Sequence, residues 1–104
     1  MTDERIQKFW NNQAEWSQKT FGSDAERGPI GPLKHLLKEV QEVLDYPDDD
    51  FEYADCLFLL FDAARRKGMT LKTLIETCET KLEINKMRNW NKPTDDNPVE
   101  HVRE

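Results

Sequence analysis

No lysine or arginine occurs between positions 39 and 55, a stretch that carries eight acidic side chains. Several other absences narrow the field. Cysteine occurs only at Cys56 and Cys78, in no zinc-ligand spacing. Both lie among apolar neighbours, which predicts buried reduced thiols and disfavours a cysteine nucleophile. The loop over 21–31 holds three of the four glycines but lacks the GKS or GKT ending of a P-loop. No GxSxG and no HExxH occurs, which excludes two common hydrolase frameworks. The longest apolar run, 56–61, is too short to cross a bilayer. The opening MTDERIQKFW has acids and no apolar run, so it does not read as a secretory signal. A cytoplasmic protein without a membrane partner is the expectation.

What is present is charge. Of 104 residues, 35% are charged and only 37% hydrophobic. One domain over 1–104 is expected, because a chain of this size holds one core. Its parts are an N-terminal helix and loop (1–31), the helices carrying the chemistry (32–92) and a polar tail (93–104). So thin an apolar content predicts a homo-oligomer. Of the net charge of −6, the stretch 39–55 contributes −8, so the rest carries +2. The overall sign argues against a nucleic-acid polymer as partner. The concentrated acid attracts cations instead.

Hydrophobic residues recur with helical period throughout, and no strand-like alternation appears. A first helix is predicted over 3–19, capped by Thr2, with Ile6, Phe9 and Trp10 on its apolar side. Pro32 suits the first turn of a second helix. Leu33, Leu36, Leu37, Val40 and Leu44 form its stripe, with His35, Glu39, Glu42 and Tyr46 opposite. Pro47 ends it. Asp49 and Glu52 then read as a capping-box variant opening a third helix to Lys67, with Gly68 as its stop. The run 56–61 makes that helix apolar nearly all round, which predicts burial on most sides. A fourth helix is expected from a Thr70 cap to Trp90, and Pro93 closes it. The fold class is therefore all-α, a four-helix bundle. The short connection at 47–49 sets the second and third helices antiparallel, with Glu42 level with Asp55.

Glu39-x-x-Glu42 and Glu52-x-x-Asp55 each put two carboxylates on one helix face. One such pair can be a solvated face, or a cap at Glu52 with a dipole-favoured acid at Asp55. Two pairs in one hairpin repel, and hard divalent cations such as Mg²⁺ or Mn²⁺ relieve that repulsion. Lys81, Asn85 and Arg88 recur at i, i+4 and i+7 beside the apolar stripe. They read either as a polar flank or as a clamp for phosphate oxygens. An unsatisfied amide at Asn85 would cost about 1–3 kcal/mol, which favours the clamp. His35, one turn before Glu39, reads as a partner of that carboxylate, a substrate donor or a surface histidine. Trp10, Trp16 and Phe21 read as core or interface aromatics before base-stacking platforms.

These residues resemble the metal motif of the MazG-like all-α nucleoside triphosphate pyrophosphohydrolases. The closer resemblance is to the phage-type dATP/dGTP diphosphohydrolase branch, which includes the MazZ proteins. It rests on Thr20-Phe21-Gly22 to Arg27-Gly28, His35-Leu36-Leu37-Lys38-Glu39 and Arg65-Arg66-Lys67-Gly68. It rests further on Asn85-Lys86-x-Arg88-x-Trp90-x-Lys92-Pro93 and Pro98-Val99-Glu100-His101-Val102-Arg103. Two departures stand out. Nine residues separate Glu42 from Glu52, fewer than in many MazG proteins. Many relatives also carry Glu where this chain has Lys38, and Asp48 or Asp50 are candidate replacements for that ligand.

The resemblance implies hydrolysis of a purine dNTP, such as dGTP or dATP, at the α–β phosphate bond. It implies Mg²⁺, with Mn²⁺ as substitute, on Glu39, Glu42, Glu52 and Asp55, and one of Glu39 or Glu42 activating water. Lys81, Asn85 and Arg88, with His35 and Phe21, would hold the substrate. A dimer or tetramer in a bacterial or phage-infected cell is implied as well. Two alternatives remain at this level: an enzyme for dUTP, dCTP or damaged nucleotides, and a non-catalytic acidic helical interaction module.

Overall fold

The computed structural model describes residues 3–102. The Thr2 cap and the Arg103 end of the tail motif lie outside them. The chain divides into two compact units, Met1–Leu74 and Ile75–Glu104.

The first unit is built on three helices. Helix α1 spans Glu4–Phe21, and Asp3 caps it by accepting from Arg5 N at 2.7 Å. It ends at Gly22, whose φ of 108° is open mainly to glycine. Helix α2 spans Ile30–Asp45, with Pro32 inside its first turn as the missing N–H allows. Helix α3 spans Asp50–Lys67. Asp49 caps it by accepting from Phe51 N at 3.0 Å, one residue earlier than a capping box through Glu52 requires. Asp50 and Glu52 in the first turn, and Arg65, Arg66 and Lys67 in the last, each complement the helix dipole. Gly68, at φ 113°, supplies the left-handed stop.

A four-residue connection folds α2 and α3 into an antiparallel hairpin. Tyr53 Oη donates to Pro47 O at 2.8 Å and pins the turn. Helix α1 packs on α3 through aromatics. Phe9 stacks on Phe58 at 5.4 Å, and Trp10 tilts against Phe61 at 5.0 Å. Trp10, Phe61, Ala63 and Leu71 are the buried apolar residues of this core.

The apolar run of α3 is less buried than its composition predicts. Leu57 and Leu60 are 47% and 46% exposed, and no residue of α2 is buried. Leu37 and Leu44 on the stripe of α2 are 75% and 69% exposed. One thin layer of three helices cannot cover both sides of a central hairpin. The thiols depart in the same direction: Cys56 is half-buried and Cys78 exposed, both free.

Helix α4 spans Leu71–Met87 and reaches into the second unit, with Thr70 Oγ1 accepting from Thr73 N at 3.1 Å. It stops three residues short of Trp90. Arg88 sits in a bend, and β1 (Asn89–Trp90) pairs antiparallel with β2 (His101–Val102). Trp90 Nε1 donates to Asn85 O at 2.7 Å, and the His101 ring meets Trp90 edge-on at 5.7 Å. The polar tail thus returns to the end of the helix. Among the described residues no helix is long and apolar enough to cross a membrane. The architecture is all-α, with four helices and one two-residue strand pair among the described residues.

Candidate metal centre

The α2–α3 hairpin brings Glu39, Glu52 and Asp55 together. One carboxylate oxygen from each lies within 4.8 Å of the others. Glu42 stands against Glu39 and Glu52, outside that triad. The helix ends explain the register. Glu42 is close to the end of α2 and so meets the beginning of α3 at Glu52, and Glu39, one turn back, meets Asp55. The expected pairing of Glu42 with Asp55 is corrected accordingly. Asp48 and Asp50 are exposed and do not belong to the triad.

Two oxygens define the electrostatics. Glu39 Oε2 and Glu52 Oε2 are buried and accept no hydrogen bond. The other Glu39 oxygen, Oε1, lies 3.1 Å from His35 Nε2. Glu39 is held above the usual carboxylate range, first by the adjoining Glu42 carboxyl, then by burial and by Asp55; His35 opposes this. Glu52 is raised too, first by burial and then by Glu42, Asp49 and Glu39. Burial and the same four carboxylates push the Cys56 thiol up, so it is no thiolate nucleophile. Buried, unpartnered, mutually repelling hard oxygens fit a divalent cation.

Two cavities adjoin the cluster. The smaller, about 170 Å³, is lined by Glu39 and Asp55 with Gln13, Trp16, Phe21 and Phe58. The larger, about 620 Å³, is bounded by the loop after α1, the first turns of α2, and Leu59, Asp62 and Arg66 of α3. Phe21, His35, Leu59 and Asp62 line both. Phe21 and Trp16 are half-exposed and meet edge-to-face at 5.5 Å, so they are not core residues as a pair. Trp10 is core.

Lys81, Asn85 and Arg88 belong to the second unit. Lys81 is exposed and Asn85 half-buried, both on α4. Arg88 lies beyond the helix, so the i+7 alignment does not extend to it.

A second polar cluster escapes motif reading. Asp62, 4% exposed, accepts from Arg65 at 2.6 Å and from Arg66 at 2.9 Å. Arg65 also donates to Gln13 Oε1 at 3.0 Å and to both oxygens of Asp24. The available signal was Asp62-x-x-Arg65-Arg66 following directly on the apolar run, at the spacing that pairs acid with base along a helix.

An all-α chain with a carboxylate cluster on a helix hairpin fits the MazG-like class. Within that class, the chain belongs to the dATP/dGTP pyrophosphohydrolase family, whose family model matches residues 9–104. It is 48% identical over 101 residues to the Eaa protein of Salmonella phage P22, covering 97% of this chain. The chain spans about 30% of that relative's length. Among solved structures it is similar to a cyanophage S-2L MazG-like pyrophosphohydrolase bound to dGDP and three catalytic Mn²⁺ ions per active site. That similarity has a TM-score of 0.74 and 28% identity, and covers 92% of this chain and 95% of the other.

Proposed function

We propose that this protein hydrolyses a purine deoxynucleoside triphosphate, dGTP or dATP, to the monophosphate and pyrophosphate. The observation that carries the reading is the pair of buried oxygens without a donor, Glu39 Oε2 and Glu52 Oε2, inside a set of hard ligands. The family and the dGDP- and Mn²⁺-bound cyanophage relative point the same way. Glu39, Glu52 and Asp55 would hold Mg²⁺ or Mn²⁺, with Glu42 at their side. A bound divalent cation neutralises charge on phosphate oxygens and lowers the pKa of water.

The protein's own groups do the rest. His35 fixes Glu39 through the 3.1 Å contact. Glu42, outside the triad, takes the proton of the attacking water. The water oxygen bonds to the α-phosphorus, and the bond from that phosphorus to the bridging oxygen breaks, releasing pyrophosphate. Lys81, Asn85 and Arg88 carry the donors suited to phosphate oxygens. Phe21 and His35, which line both cavities, flank the substrate. The exposed stripe of Leu37 and Leu44 supports a homo-oligomer, dimer or tetramer. The setting is the nucleotide pool of a bacterial or phage-infected cell.

Incubation with each dNTP and Mg²⁺ or Mn²⁺, with products resolved, tests this. dGTP or dATP should yield the monophosphate and pyrophosphate in equal amounts. No pyrophosphate from any nucleotide sinks the reading. Release of single phosphate or of tripolyphosphate sinks the assignment of the bond.

A further inference from the structure

The first unit contains more buried charge than the carboxylate cluster uses. Arg66 is 8% exposed, and all five of its guanidinium N–H groups are engaged. Its Nε donates to Asp62 at 2.9 Å, and Nη2 donates to Ser17 Oγ at 3.1 Å. The other three bonds go to main-chain carbonyls of the loop after α1: Gly22 at 3.0 Å, Ser23 at 3.2 Å and Arg27 at 3.4 Å. Arg65 grips the same loop through Asp24, at 3.1 to 3.3 Å. Two adjacent arginines at the end of α3 thus hold one short loop at both its backbone and a side chain. A planar, fully charged fork with five fixed donors suits that task, and lysine does not.

The loop held in this way is the wall of the 620 Å³ cavity, at Glu26, Arg27 and Gly28. Ile30, Pro32 and Leu59 also line it. That volume falls in the range of small-molecule sites, roughly 300–1,000 Å³. The charges behind the wall are balanced: Asp24 and Asp62 against Arg65 and Arg66. A balanced, largely apolar cavity favours a neutral, flat group over a phosphate. It also shares Phe21, His35, Leu59 and Asp62 with the cleft that contains Glu39 and Asp55. A nucleotide with its phosphates at the carboxylates therefore has this cavity within reach of its base.

We infer that the cavity receives the purine base, and that Arg66, with the Arg65–Asp24 pair, is a positioning residue that fixes the cavity wall. This rests on the nucleotide reading above. It assigns the base to a place and gives the buried arginines a task beyond stability.

Calorimetric binding of two probes in the presence of Mn²⁺ separates the parts. dGMP carries the base, and inorganic tripolyphosphate does not. Three variants are compared: Ile30→Trp, which narrows the cavity; Asp24→Asn, which loosens the loop; and Arg66→Lys, which removes the fork. Each should weaken dGMP by about tenfold and leave tripolyphosphate within about twofold. Unchanged dGMP binding in Ile30→Trp and Asp24→Asn overturns the inference. Equal weakening of both probes overturns it too, since the effect then runs through the carboxylates. If Arg66→Lys does not fold, the exposed Ile30 and the half-buried Asp24 carry the test. Neither probe depends on turnover. A protein that releases no pyrophosphate but shows the selective loss of dGMP refutes the proposed reaction and upholds the cavity.

Discussion

Asp62→Ala should lower the unfolding free energy by about 3–5 kcal/mol, the usual cost of removing one partner of a buried ion pair. The Arg66 side chain is 1% exposed and Asp62 is its closest carboxylate, at 2.9 Å. Asp24, at 3.7 Å, is the other carboxylate beside it and already serves Arg65. Without Asp62 the guanidinium stays buried and its charge goes largely unanswered. Urea unfolding checks this as a shift of midpoint at constant slope. A loss below about 1 kcal/mol would mean that water reaches the pair, as at an exposed bridge. The same carboxylate sets an acid limit. Burial pushes the Asp62 pKa up, but bonds from Ser17, Arg65 and Arg66 outweigh burial and hold it below the ordinary value. A depressed folded pKa means that its contribution is whole above the unfolded value, about 3.9. It is lost as pH falls from there through the folded pKa. The wild type should therefore lose stability below about pH 4 more steeply than Asp62→Ala.

Glu39→Gln should reduce pyrophosphate release by at least about a hundredfold, since a cation ligand matters more than the groups behind it. Fold should not suffer. In the metal-free protein Glu39 faces Glu42 and Asp55 with one oxygen buried and unpartnered, so neutralising it relieves repulsion. Metal-free Tm should stay level or rise, while the gain in Tm on adding Mn²⁺ shrinks. A fall in Tm together with the loss of activity would make Glu39 a structural residue. Turnover within a few fold of wild type would remove it from the centre.

Much of this site was legible in the sequence because it depends on local spacing. Glu39, Glu42, Glu52 and Asp55 lie at helical intervals around a proline-marked turn, so the hairpin alone brings them together. Their exact register was not legible. It depends on where α2 stops, at Asp45, and where α3 starts, at Asp50. Helix α4 ends at Met87, short of the expected Trp90, for a related reason. What ends it is a pairing of Asn89–Trp90 with His101–Val102, a contact between distant residues with no periodic signature. The arginine clamp was hidden because its partners are scattered over α1, the loop and α3. Composition likewise overstated burial on α2 and α3, since a periodic stripe says which side is apolar but not whether anything in the same chain covers it.

That Glu39, Glu52 and Asp55 form a divalent-cation site is open to a direct test. Calorimetric titration with Mn²⁺ tests it most directly, on the wild type and on the double variant Glu39→Gln, Glu52→Gln, both confirmed folded by circular dichroism. Saturable binding to the wild type that disappears in the double variant is the predicted result. Equal affinity in the two proteins, or no binding to either, would contradict it.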